Sequence, residues 1–600
     1  MEITRTFDLL NLYREKYRME DALAGKEKGV WVRYSSDQYV AYANHVSYGL
    51  LALGLKKGDK VCTISNNRPQ WNFIDMGVAQ AGIIHVPVYP TISMEEYAYI
   101  LKDSEPSVIF LSDKTLYDKI KPIADTVESV REVYTFNEVE GAKNWSEVVE
   151  LGKKSADKFK EELEKIKDSI KPEDFFTLLY TSGTTGFPKG VQLCQNNVVS
   201  NFKATAEVHP LGHGDKTLSF LPISHIYERM VNYHFQYLGI AIYYAENMGT
   251  IGDNMKEIKP EIFLTVPRLL ERVYDRIIGK GKDLTGIKKR IFFWAVNLGL
   301  RFELNRKNGW FYHQKLKIAD KLIFSKWREA LGGNVKIIVS GSAALQPRLA
   351  RVFWAAGFAV LEGYGLTETS PVIAVNNLNT NEIMLGTVGP VIGGGVEVKI
   401  AADGEILCKG PNVMMGYYKQ PELTREVLTE DGWFHTGDIG ELIDGKFLKI
   451  TDRKKEMFKL SSGKYIAPQL IENKLKESFF IEQAMVVGEN EKFASALISP
   501  NFPFLHEWAS RHNIKFRDNQ ELICLKEVQD RIQQEVQELN KDLSEHERIK
   551  RIRLVKEEWS SETGELSPTA KLKRHKLYET YDSLLAEIYS VGKGTTDFSE

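Results

Sequence analysis

An α/β protein of two domains is what this sequence predicts, on three observations. At 600 residues with 43% hydrophobic residues, the chain exceeds what one core can organise and should divide into two or more domains. Short β-rich runs alternate with amphipathic stretches over residues 1–170, a rhythm that gives a parallel or mixed sheet covered by helices. Beyond Asn381 glycine becomes frequent and short alternating strands follow one another, which marks a smaller β-rich unit.

In chain order, 60–65 (KVCTIS), 82–88 (GIIHVPV) and 107–111 (SVIFL) read as buried strands, with the amphipathic stretch 93–102 among them. Lysine, glutamate and aspartate dominate 155–171, which suits a solvated helix ahead of the next strand. Further strands are expected at 262–266 (IFLTV) and 335–340 (VKIIVS), then at 396–400 and 404–407 in the β-rich unit. The C-terminal part returns to mixed α/β with long charged helices such as 526–542. The main boundary is placed near Asp452, because 449–459 packs charge and no turn residues into a connecting segment. The expected division is an N-terminal domain over 1–452, with its β-rich subdomain over about 381–452, and a C-terminal domain over 453–600.

Composition narrows the partners. Lysine plus arginine (79) balance aspartate plus glutamate (81), so no global field gathers nucleic acid or an anionic surface, and any such partner needs a local patch. No nucleic-acid partner is expected. Cys62, Cys194, Cys408 and Cys524 are scattered singly, without zinc spacing, and read as reduced thiols. Charges of both signs enter every turn of the N-terminal stretch, and no run of about 20 apolar residues occurs. The expectation is a soluble cytoplasmic protein.

The chemistry concentrates in a few motifs. Strand-like 175–180 runs into Thr181, Ser182, Gly183, Thr184, Thr185, Gly186, Phe187, Pro188, Lys189 and Gly190. Glycines let backbone N–H groups turn toward an anion, hydroxyls add donors and the lysine adds charge, so a polyphosphate is the natural occupant. The spacing is not that of a P-loop NTPase. Farther on, Gly363, Tyr364, Gly365, Thr367 and Glu368 (GYGLTE) set an aromatic face, a hydroxyl and a carboxylate around two glycines, which suits an adenine ring and a hard cation held against phosphate. Upstream, a strand ends in small residues at Gly341, Ser342 and Ala343, permitting a flat ring to approach the backbone. Asp438 stands on a glycine turn (FHTGD), suited to accepting both ribose hydroxyl protons.

The string YTSGTTGFPKG resembles the phosphate signature of the adenylate-forming superfamily, and other superfamily elements follow in order as far as Lys571. The resemblance implies the adenylate-forming fold with a mobile C-terminal domain, and ATP, magnesium and coenzyme A as its cofactors and substrates. It implies that Thr181, Ser182, Gly183, Thr184, Thr185, Gly186 and Lys189 hold phosphate and that Gly341, Ser342, Ala343, Glu362, Gly363 and Gly365 line the nucleotide. Tyr364 then lies against adenine, Thr367 contacts the α-phosphate, Glu368 and Thr181 hold magnesium, and Asp438 with Arg453 holds ribose. His225, in LPISHIYER, matches the acyl-site segment; the adjacent Glu228 and Arg229 read as a surface salt bridge and are left out of the site. Lys571 takes the position of the terminal catalytic lysine, with Ala570 where the family more commonly has glycine and Lys573 as a rival two residues on. Lys455 matches the hinge, and Lys459 and the turn at Gly463 would line the thioester-forming site after domain rotation.

The strings PISHIYER, VPRLLERVYDRI, EGYGLTETSPV and DRKKEMFKLSSGKYIAPQLIE look most like long-chain fatty acid–CoA ligases, which implies a fatty acid as substrate. An insertion of that branch carries Lys288, Lys289, Arg290, Phe292, Phe293, Trp294, Phe302, Trp310 and Trp327. A basic, aromatic amphipathic stretch suits peripheral contact at the inner face of a membrane, and helix packing inside the domain accounts for it equally. Two rival classes stay open: a ligase that stops at the acyl adenylate or loads a carrier protein, and a non-catalytic binder on the same fold.

Overall fold

The computed structural model describes residues 2–181, 188–561, 563–567, 570–589 and 596–597. The expected strands form with edges shifted by at most two residues: Lys60–Ile64, Ile84–Val88, Val108–Leu111, Ile262–Thr265, Ile337–Ser340, Glu397–Ile400 and Glu405–Lys409. The charged stretch 155–171 belongs to a longer helix, Trp145–Ser169, whose start is fixed by Asn144 accepting from the Ser146 backbone N–H. Tight crossing with Ser36–Ala52 explains two glycines: a Cβ on Gly49 would meet the Val148 carbonyl oxygen at 2.2 Å, and one on Gly152 that of His45 at 1.8 Å.

Two eight-stranded sheets organise the N-terminal part. In one, Ile84–Val88, Lys60–Ile64, Val108–Leu111 and Glu132–Thr135 run parallel, while Lys189–Cys194 pairs antiparallel with Phe175–Thr181 at one side. The other has a parallel centre of Ala359–Gly365, Ile337–Ser340, Ile262–Thr265, Lys216–Ser219 and Ala241–Tyr244, closed by antiparallel edges. The sheets are thus mixed. Their central strands are buried hydrophobic runs, as sheets covered on both faces require.

A third sheet, of four antiparallel strands from Glu397 to Arg453, forms the β-rich unit. The connecting segment expected at 449–459 is corrected here: Phe447–Arg453 is a strand paired with Phe434–Ile443, so the irregular stretch is confined to the turn before Phe458–Lys459. Charge alternating with Leu448 and Ile450 had hidden a half-buried strand. Beyond it, Ile481–Val487, Ser495–Pro500 and Arg551–Leu554 carry a separate core around Ile471, Val486, Ile498 and Ile532. Cys62, Cys194 and Cys408 are buried free thiols, and Cys524 is exposed.

Candidate active site

The two parts meet across a cleft of about 1650 Å³, larger than the ~300–1,000 Å³ of an ordinary small-molecule pocket. Its lining includes Thr181, Lys189, His225, Gly341, Ser342, Ala343, Glu362, Gly363, Tyr364, Gly365, Thr367, Glu368, Asp438, Arg453, Lys455 and Lys571. Residues spread over nearly 400 positions of sequence are brought to one place. Ser182, Gly183, Thr184, Thr185 and Gly186 lie outside the described residues. Lys459 and Gly463 are in the turn region of Phe458–Lys459 and Tyr465–Ile466, and the cleft lining does not include them.

At the phosphate end, Thr181 and Lys189 face each other across an antiparallel pair. Burial, then the charge of Lys455, lowers the Lys189 pKa, so an anion is what this ammonium lacks. Glu368 accepts a hydrogen bond from the Tyr417 hydroxyl at 2.9 Å and is half-buried at the cleft wall. Among the described residues no cluster of three or more metal-ligating side chains occurs. Glu368 and Thr181 both line this cleft, and one carboxylate with one hydroxyl is a donor set that fits magnesium, which takes few protein ligands and completes its shell with phosphate oxygens and water.

At the nucleoside end, Asp438 and Arg453 are cross-strand partners, joined Nε to Oδ1 at 3.3 Å. The Tyr364 hydroxyl donates to Asp438 Oδ2 at 2.7 Å. This ties the aromatic side chain to the carboxylate, so the expected adenine and ribose contacts would share one rigid unit. At Gly341 the ring that approaches the backbone is the protein's own Tyr227, so closely that a Cβ there would stand 3.1 Å from it. Glu362 is buried, and burial raises its pKa to about 8, so it is mainly protonated at neutral pH.

The acyl-side histidine caps its helix. His225 Nδ1 accepts from the Tyr227 backbone N–H at 3.1 Å, which places the proton of the neutral ring on Nε2. Burial, with Lys571 nearby, lowers its pKa to about 4. Lys571 sits in a loop closed by Ser567, whose N–H donates to the Lys571 carbonyl at 2.7 Å and whose hydroxyl accepts from the Lys571 N–H at 3.0 Å. Its side chain remains accessible from the cleft, yet protein surrounds it closely enough that lost hydration and the Arg453 charge lower its pKa to about 8. Lys573 is held elsewhere, in an ion pair with Glu96 at 3.3 Å. Ala570 has a left-handed backbone, φ 59°, a conformation that favours glycine. Arg574 anchors the following helix through Glu472 at 2.7 Å and Glu456 at 3.0 Å.

Glu228 and Arg229 are not a surface pair. Both are fully buried and each has its own partner: Glu228 accepts from the Ser219 hydroxyl at 2.5 Å, and Arg229 binds Asp75 at 2.5 Å and Thr177 at 2.6 Å. His85 and Tyr233 complete the Asp75 cluster. Burial raises Glu228 to about 8, whereas Asp75 is lowered because Arg229, His85 and Tyr233 together outweigh the cost of its burial. Sequence reasoning missed this network because Asp75, His85 and Thr177 carry no local motif. Adjacency of two charges on a helix was the misleading signal, since i and i+1 do not face each other.

The cleft thus gathers Lys189, Glu368, the paired Asp438 and Arg453 and, from the C-terminal part, Lys571 between sheet ends, an arrangement of acids and cations suited to an anionic ligand. Residues 14–418 match the AMP-binding enzyme family and residues 455–593 match the AMP-binding enzyme C-terminal domain; the chain belongs to this family. A long-chain-fatty-acid–CoA ligase of Mycobacterium bovis is 32% identical over 568 residues, covering 94% of this chain and 93% of that protein. The peroxisomal long chain acyl-CoA synthetase 7 of Arabidopsis thaliana is 32% identical, covering 93% of this chain and 82% of its own. Among solved structures, the adenylation domain of a carboxylate reductase from Mycobacterium chelonae superposes with a TM-score of 0.74 at 22% identity, covering 98% of this chain and 91% of its own. A fatty acyl CoA synthetase of Mycobacterium tuberculosis gives 0.61 at 20% identity, covering 97% and 99%.

Proposed function

We propose that this cleft performs both half-reactions of an ATP-dependent long-chain fatty acid–CoA ligase by domain alternation, with the residues named above in their implied roles. The observation that carries the reading is one continuous cavity. It joins Lys189, Glu368, Asp438 and Lys571 at its polar end to apolar walls that include Val208, Met230, Val231 and Leu361.

In the first half-reaction a carboxylate oxygen attacks the α-phosphorus of ATP, a P–O bond forms, and the bond to the bridging oxygen breaks to release pyrophosphate. Neutral His225 offers Nε2–H to the carboxylate and so positions it without adding charge. Lys571 and Lys189 offset the negative charge that gathers as two anions meet. Held by Glu368 and Thr181, magnesium would neutralise the departing pyrophosphate. Asp438 and Arg453 fix the ribose. In the second half-reaction the coenzyme A thiolate attacks the acyl carbon and AMP departs. That step needs Lys571 withdrawn and Lys459 and Gly463 brought in, through rotation at Lys455 of the part we assign to 453–600 against 1–452. The test is pyrophosphate release across fatty acids of graded length, with and without coenzyme A. Release that depends on a long-chain acid and is accompanied by thioester supports the reading; release coupled to no thioester favours the ligase that stops at the adenylate.

The same reading includes peripheral membrane contact. Among the described residues no helix is long and apolar enough to cross a membrane. The insertion divides into two faces: Phe292, Phe324 and Trp327 are buried, whereas Trp310 (66%), Phe311 (78%) and Ile318 (55%) are exposed among lysines and arginines. An apolar stripe rimmed with bases matches an anionic lipid surface. Co-sedimentation with phosphatidylserine vesicles that is abolished in Phe311→Asp supports it; equal behaviour of the two proteins contradicts it.

A further inference from the structure

The acyl side of the cavity contains a buried polar group that the chemistry above does not use. His209 and His234 both line it, and their Nε2 atoms lie 2.8 Å apart. The tautomers follow from the partners. The Leu211 backbone N–H, which can only donate, points at His209 Nδ1 at 3.3 Å, so neutral His209 carries its proton on Nε2. His234 Nε2 must then accept, and its proton sits on Nδ1, 3.1 Å from Thr205 Oγ1. The Thr205 hydroxyl passes its own hydrogen on to the Asn201 carbonyl at 3.0 Å. Burial keeps both rings neutral: it lowers His209 to about 4 and His234 well below its ordinary value.

The result is a one-way relay in which every ring nitrogen is engaged. An alkyl chain offers it no polar partner, so the relay does not bind substrate by hydrogen bonding. Its effect is mechanical. A neighbouring Met230 can yield by changing rotamer, but neither imidazole can turn aside without leaving a buried donor or acceptor unpaired. The relay also stands at a defined depth: His234 is on the helix Ile226–Leu238 that His225 caps, nine residues along, or about 13 Å at 1.5 Å per residue. An acyl chain that starts at His225 and follows this helix meets the pair within its own length.

We infer that the His209–His234 relay is a rigid wall that sets the acyl-chain length this cavity accepts, making both histidines specificity-determining residues. The inference rests on the fatty-acid reading of the cleft. The experiment measures kcat/KM for saturated fatty acids of graded length in the parent, His209→Ala and His234→Ala enzymes, with the KM for ATP and the melting temperature recorded for each. The alanine variants should move the optimum to longer chains. Each methylene newly taken in should gain about fourfold relative to the parent, while short acids and the KM for ATP stay unchanged. Thr205→Val, which cuts the relay without enlarging the cavity, should weaken discrimination against longer chains, and it decides the matter if the alanine variants do not fold. Superimposable length profiles in folded variants, or an equal loss for short and long acids, would overturn the inference. A parent enzyme active with no fatty acid at all would overturn the underlying reading as well.

Discussion

Replacing Lys571 with alanine should separate the two half-reactions. The ammonium enters the cleft among Glu368, Asp438 and Arg453, and its charge reaches His225. An ammonium about 4 Å from developing charge at an effective dielectric constant near 20 contributes roughly 4 kcal/mol. Two structural facts reduce this: the side chain stays accessible to solvent in the open cleft, and Arg453 supplies part of the same field. About 3 kcal/mol remains, in line with the cost of removing one preorganised donor, so adenylation should fall roughly a hundredfold or more. Thioester formation from a chemically supplied acyl adenylate gathers no charge at that place and should keep most of its rate. The assay pairs pyrophosphate release with single-turnover thioester formation. Lys573→Ala is the control, because Lys573 is committed to Glu96. Equal loss of both half-reactions in Lys571→Ala, or an adenylation-dead Lys573→Ala, would show that Lys571 does not serve adenylation alone.

Lys571 should also shape the pH profile. Its protonated form is the useful one, so with a pKa near 8 in the free enzyme kcat/KM for adenylation should decline as pH rises through about 8; Lys571→Arg, which does not titrate there, should move the decline upward, and an unmoved profile assigns it to another group. Asp438→Ala removes the acceptor shared by Tyr364 and Arg453 and should weaken ATP binding by roughly 1–3 kcal/mol, measured by calorimetry; unchanged affinity contradicts the ribose role. Arg268, on Pro267–Lys282, binds Glu482 of the C-terminal part. Because this pair is partly solvated, Arg268→Ala should slow adenylation about tenfold and spare thioester formation, and the reverse pattern would show that the contact belongs to the other orientation.

Some of this molecule was legible because local residues suffice. A buried parallel strand needs only a short apolar run, as at Val108–Leu111, and Gly341 announces a close approach whatever does the approaching. Lys189, Asp438 and Lys571 each stand in a motif of a few residues, and the fold brings all three to one cleft. What escaped depends on distant partners. Nothing beside Arg229 reveals Asp75 and Thr177, and nothing beside His209 reveals His234 and Thr205. Strand Phe447–Arg453 escaped for the opposite reason, since its charged residues look like a linker until pairing with Phe434–Ile443 buries Leu448. The insertion stayed ambiguous because aromatic content does not say which ring faces the core; Trp327 does and Trp310 does not.

In the proposed reaction a fatty-acid carboxylate attacks the α-phosphorus of ATP in the cleft that Lys189, Glu368 and Lys571 line. A fatty acid labelled with heavy oxygen in its carboxylate tests this directly when turned over with ATP, magnesium and coenzyme A. One labelled oxygen should leave in the phosphate of AMP while the other remains in the thioester carbonyl. Label recovered in inorganic phosphate beside ADP would place the attack on the γ-phosphorus and contradict it.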